Sequence, residues 1–171
     1  MKRANSSHIG FSLIEVSISL ALFALIITLV VVNVSFIYRP MVRTEVDRIY
    51  NICNYMRRCA MLSNKQQDVY FDIANNRYTF NGTVCTLPSQ IMFGVIPGVK
   101  GPPSLPKKLV AKPITFKGSR ISFFPEGIIS SGTIYVTDRY KKFLYAISCS
   151  VSQVSYLRKY AFNDNKWVLI S

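Results

Sequence analysis

The sequence predicts an α+β fold, a long N-terminal helix packed on an antiparallel β-sheet domain. Three observations carry this prediction. Phe11 to Tyr38 is an apolar run of 28 residues whose one charge is Glu15. Apolar residues then recur at helical spacing, and from about residue 68 onward the pattern changes to strict alternation. A helix with one apolar stripe and strands with one apolar face bury those surfaces most simply against each other.

Taking the elements in order, Met1 to Gly10 is short, polar and basic. The apolar run at 11–38 exceeds the roughly 20 residues needed to cross a bilayer, which predicts a transmembrane helix. A cleaved secretory signal is the competing reading, but its apolar region spans only about 7–15 residues, and it would not carry Glu15 inside it. Val42, Val46, Ile49, Cys53, Met56 and Ala60 step by four and three, so residues 39–64 read as an amphipathic continuation of the helix. Arg43 with Asp47 and Glu45 with Arg48 are spaced to pair along it. Pro40 removes one helical hydrogen bond and should loosen the rod there. The helix should end near Ser63-Asn64.

Residues 65–171 form a β-rich domain. Asp68–Ile73 and Arg77–Asn81 alternate on either side of Asn75-Asn76, a hairpin signature. Thr83–Leu87 reads as a third strand. Gly94 to Pro113 holds five prolines, three glycines and four lysines, a loop by composition. Further strands are predicted at Ile114–Lys117, Arg120–Phe124, Thr133–Thr137, Phe143–Cys149 and Lys166–Ile170. Val151–Phe162 reads as strand without a fixed register.

The net charge is +13, and removal of Met1–Gly10 would leave +11. Residues 100–171 carry twelve basic and three acidic side chains, a surplus that suits anionic partners, although scattered lysines also serve solubility alone. Cys53, Cys59, Cys85 and Cys149 match no zinc spacing. Cys53 and Cys59 are about 9 Å apart along a helix, too far to bridge. Cys85 and Cys149 lie in predicted strands and are open to a disulfide in an oxidising space; buried free thiols are the other reading.

The most specific pattern is Gly10-Phe11-Ser12-Leu13-Ile14-Glu15, which follows the basic leader and opens the apolar helix. It resembles the class III signal of type IV pilins and type II secretion pseudopilins. The resemblance implies cleavage after Gly10 by a prepilin peptidase, N-methylation of Phe11, and an assembly role for Glu15, the fifth residue after the cut. A carboxylate in a membrane helix calls for a partner, and the new amine at Phe11 of a neighbouring subunit would supply one. The simpler alternative has Glu15 reaching the headgroup layer. Two diffuse patches, Ala60 to Asp72 and Ile121 to Gly127 with the Thr-Ile-Tyr-Val strand, are similar to GspH/FimT-type minor pseudopilins. The family implies a pilin-like fold, inner-membrane anchoring with a periplasmic domain, other pseudopilins as partners, and no cofactor. The Pro- and Lys-rich loop at 94–113 departs from the family pattern.

An enzyme is not expected. The single histidine, His8, lies in the leader, so the mature chain has no imidazole for a base or a metal. It also shows no glycine-rich phosphate loop. No catalytic residue and no metal site are therefore assigned. Two functions remain, beside the reading of an unrelated single-span anchored protein in which the leader match is chance. One is a structural subunit of a secretion pseudopilus. The other is a minor pilin that binds DNA during uptake through Lys107, Lys108, Lys112, Lys141 and Lys142. Lys117, Arg158 and Lys159 could add phosphate contacts, and Tyr140, Tyr156 and Tyr160 could stack on single strands. Orientation in the membrane follows from the leader resemblance, because basic residues flank the apolar run on both sides.

Overall fold

The computed structural model describes residues 12–32, 34–102, 106, 108–149 and 156–170, with the side chains of 29–36 left out. The leader, Gly10 and Phe11 lie outside the described residues. The chain divides into two compact units, Met1–Ile37 and Tyr38–Ser171.

The first unit is built on α1, Leu13–Val32. Its large apolar side chains from Leu13 to Ile27 are all exposed, Leu13 by 84% and Phe23 by 66%. Among the described residues no helix is both long and apolar enough to cross a membrane. The expected span, 11–38, reaches beyond those residues at both Phe11 and Asn33.

α2, Val34–Ser63, whose residues from Tyr38 onward belong to the second unit, runs through Pro40 without ending. It stops where Asn64 takes a positive φ of 52°, a conformation asparagine tolerates. All six residues of the apolar stripe, from Val42 to Ala60, are fully buried.

The strands form two antiparallel sheets where the sequence predicts one. With β1 Gln67–Asp72, β2 Arg77–Phe80, β3 Thr83–Thr86 and β5 Arg120–Phe123, the first has the order β3-β2-β1-β5. With β4 Ile91–Phe93, β6 Gly132–Asp138, β7 Leu144–Cys149, β8 Arg158–Asn163 and β9 Lys166–Ile170, the second has the order β4-β6-β7-β8-β9. The β1–β2 hairpin turns at Asn76, whose φ is 47°. The strand expected at Ile114–Lys117 is a single bridge, Ile114 to Ile134, followed by a 3-10 turn. Gly118 sits in that turn at φ 66°, which no extended strand allows. Of the stretch Val151–Phe162, β8 is strand from Arg158 onward.

One core joins the α2 stripe to both sheets. It gathers Val69, Phe71 and Tyr78 from the first with Ile134, Val136, Tyr145 and Ile147 from the second. The opposite face of the second sheet is covered as well. Tyr135, Leu144, Ala146 and Tyr160 are buried there beneath Val95, Ile96, Val99 and Val110 of the segment read as a loop. Trp167 Nε1 donates to the Lys100 carbonyl at 2.8 Å, which ties that strap to β9. β6 and β7 are therefore buried on both faces.

Asp47 does not pair along the helix as its spacing suggests. Its carboxylate accepts from Lys159 Nζ of β8 at 2.6 Å, and the same ammonium lies 4.8 Å from the centre of the Tyr50 ring. Lys159 is only 10% exposed, so water competes little. Lys159→Met should lower stability by about 1–2 kcal/mol. Lys159→Arg should recover most of this loss in thermal melts of the detergent-solubilised chain. Glu45 and Arg48 do approach each other, at 3.9 Å.

Candidate assembly surface

Glu15 lies in the first turn of α1. The Ser12 backbone N–H donates to Glu15 Oε2 at 3.1 Å, and the Val16 N–H donates to the Ser12 carbonyl at 3.2 Å. The helix thus begins at Ser12-Leu13-Ile14-Glu15, the S-x-x-E pattern of a capping box, in which the glutamate reaches back to an amide without a helical acceptor. The carboxylate also meets the positive end of the helix dipole. This local role was legible in the sequence but is absent from the reading above. Glu15 is thereby turned back toward the Ser12 amide.

The lysines expected to form one anionic-partner patch separate into two groups. Lys108 and Lys112, with Lys117, line an open groove of about 650 Å³ whose apolar walls include Leu109, Ile114 and Phe116. Lys141 and Lys142 sit on the β6–β7 turn. Between the groove, bridged to β6 at Ile134, and the end of β6 at Asp138 lie roughly 13 Å of strand. Lys107 lies outside the described residues. Lys159 is engaged by Asp47. Arg158 is held over the Tyr156 ring at 5.0 Å, with Nη2 donating to its hydroxyl at 3.0 Å. Tyr160 is buried in the core, so it offers no stacking face, whereas Tyr140 is 63% exposed.

The β6–β7 turn is organised by Asp138. Asp138 is fully buried. Its Oδ1 accepts the backbone N–H of Lys142 at 2.8 Å and of Phe143 at 2.7 Å, and its Oδ2 accepts that of Tyr140 at 3.1 Å. The Lys141 N–H adds a bond to the Asp138 carbonyl at 2.9 Å, and the Arg139 N–H donates to Gln90. Lys141, at φ 56°, is fixed by these bonds in a conformation that non-glycine residues seldom adopt.

Cys85 and Cys149, for which a disulfide and buried thiols are both open in the sequence, stand in different sheets. Cys85 is a free thiol in β3, at the edge of the first sheet, where Arg48 Nη2 approaches its sulfur at 3.8 Å. Cys149 ends β7 inside the second sheet, with its thiol 3.9 Å from the Ile129 carbonyl. Both strands belong to different sheets, which similar strand patterning could not reveal. Burial pushes the Cys53 thiol up to about 12. Thiolate is the reactive form, so Cys53 should resist iodoacetamide at pH 8 in the folded chain and react only on unfolding. Peptide mapping checks this, with the half-buried Cys85 as the internal comparison. Among the described residues no three metal-ligating side chains come together.

No family model matches the sequence, and no curated protein does. Among solved structures, the chain is similar to the minor pseudopilin EpsH from the type 2 secretion system of Vibrio cholerae, at 13% identity and a TM-score of 0.50. The match covers 70% of this chain and 96% of that one. At this identity the likeness is one of architecture: the chain has the fold of a minor pseudopilin.

Proposed function

We propose that this protein is a minor pseudopilin, a structural and non-enzymatic subunit of a type II secretion fibre. The observation that carries the reading is the Gly10-Phe11-Ser12-Leu13-Ile14-Glu15 pattern standing ahead of a domain with the pseudopilin fold. Neither alone would suffice, since fold does not determine function. On this reading a prepilin peptidase removes Met1–Gly10, and residues 11–38 cross the inner membrane as a helix. The domain lies in the periplasm. The exposed apolar side chains of α1 then have two uses, lipid before assembly and neighbouring pseudopilin helices after it.

The Phe11 amine of one subunit would pair with Glu15 of the next, which sets axial register among helices otherwise joined by nonspecific apolar contact. The division of the lysines into two groups and the engagement of Arg158 and Lys159 favour this role over the capture of DNA along one continuous basic track.

The test is the N-terminal residue and intact mass of the protein isolated from its own membranes. A chain starting at N-methylated Phe11 supports the reading. A chain starting at Met1 overturns it, along with the role given to Glu15.

A further inference from the structure

Tyr38 is the last residue of the apolar run and the first of the second compact unit. Its ring meets that of Tyr140, on the β6–β7 turn, edge to face with centroids 5.5 Å apart. The next residue, Arg39, places Nη2 3.2 Å from the Asn163 side-chain amide at the end of β8, oriented so that its oxygen accepts. These two contacts bring one end of the five-stranded sheet beside the residues where the apolar run stops. Leu144 pairs with Phe162, and Asn163 with Lys166, so the β6–β7 and β8–β9 turns share that end.

The side chains gathered there are of one kind. Arg39, Arg139, Lys141, Lys142 and Lys166 are exposed, against a single exposed carboxylate, Asp164. Asp138, the other acidic residue, is buried and spent on the turn's own amides. Five backbone N–H bonds fix this turn, so its cations are presented by a rigid element.

We propose that this end of the domain is a foot that binds the headgroups of anionic lipids in the bilayer its own helix crosses. The proposal rests on the reading of residues 11–38 as a membrane span. If Tyr38 ends the span, charges one or two side chains away stay within a Debye length of the headgroups, about 8–10 Å. The paired tyrosines offer an apolar body and a polar tip, as aromatic residues do at membrane interfaces. The lipid surface is favoured over nucleic acid because it is covalently tethered to the patch. The foot would fix the tilt and rotation of the domain before a subunit enters a fibre, and it would have to be released on entry.

The experiment uses the full chain in phosphatidylcholine vesicles containing about a quarter phosphatidylglycerol, where each basic side chain near the surface is worth roughly a factor of five. Resistance to alkaline extraction reports the span. The lipids retained on mild solubilisation, counted by mass spectrometry, report the foot. Wild type should retain lipid whose phosphatidylglycerol-to-phosphatidylcholine ratio is roughly fivefold above that of the bulk bilayer. The triple variant Arg139→Gln, Lys141→Gln, Lys142→Gln should fall to the bulk share, and Lys141→Arg with Lys142→Arg should keep the enrichment. Integration without enrichment overturns the foot and leaves the span standing. Extraction by alkali removes the span reading and the foot with it. Unchanged lipid retention in the triple variant, with loss of duplex DNA binding by the solubilised chain, would make this a nucleic-acid face instead.

Discussion

Replacing Asp138 with alanine should destabilise the domain by about 3–5 kcal/mol, the largest loss expected from any single substitution at a turn in this chain. The carboxylate accepts from three backbone amides within 3.1 Å and is itself fully buried. Alanine leaves those donors facing a space with no acceptor, and each then bears a desolvation cost that water can relieve only if the turn opens. Asp138→Asn keeps one accepting oxygen and should fall between the two. Thermal melting gives the stability. Hydrogen exchange gives the location: amides of Tyr140, Lys142 and Phe143 should lose protection before those of β7. Loss of stability with those amides still protected would mean that the turn holds itself and that Asp138 acts elsewhere.

The second large effect concerns assembly. Glu15→Leu should reduce recovery of the protein in sheared fibres at least tenfold, as expected if one charge-assisted hydrogen bond, worth roughly 1.5–3 kcal/mol, is lost per subunit. Membrane integration should not suffer, because leucine makes the helix more apolar. Processing should also be unchanged, with the chain still starting at Phe11. Glu15→Gln separates two roles. Glutamine serves in a capping box as glutamate does, so it preserves the bond from Ser12 while removing the charge. If the glutamine variant enters fibres like wild type, Glu15 is a helix cap and the intersubunit pairing is wrong. If it fails as the leucine variant does, the charge is what neighbours require.

Local periodicity made much of the fold legible. Six stripe residues from Val42 to Ala60 are buried as their spacing indicates, because a helix converts spacing directly into a face. The β1–β2 hairpin follows from alternation about Asn75-Asn76 in the same way. What escaped was decided at long range. Strands that look alike were divided between two sheets, and that division put Cys85 and Cys149 in different sheets. β4 has only three residues, Ile91–Phe93, too few to show a period. In the strap after it, Val95, Ile96, Val99 and Val110 cover the second sheet, but the surrounding prolines and lysines made the stretch read as loop alone.

At the candidate site the balance differs. Glu15 is legible because its motif is contiguous, and its capping partner three residues earlier follows from spacing. The basic foot was not, since Arg39, the 139–142 turn and Lys166 converge only when β7, β8 and β9 align. Asp47 was matched with Arg43 on helical spacing, whereas its partner, Lys159, came from the far end of the chain.

That last pairing sets a clock. Lys159 follows Asp47 by 112 residues, and synthesis at roughly 5–20 residues per second separates their arrival by about 6–22 s. For that interval the stripe on α2 has been made but β8 has not, and its full cover cannot form. A chain in this state exposes a sticky helix while it is still being made, so its yield should depend on whatever shields nascent chains more than the stability of the finished domain would suggest.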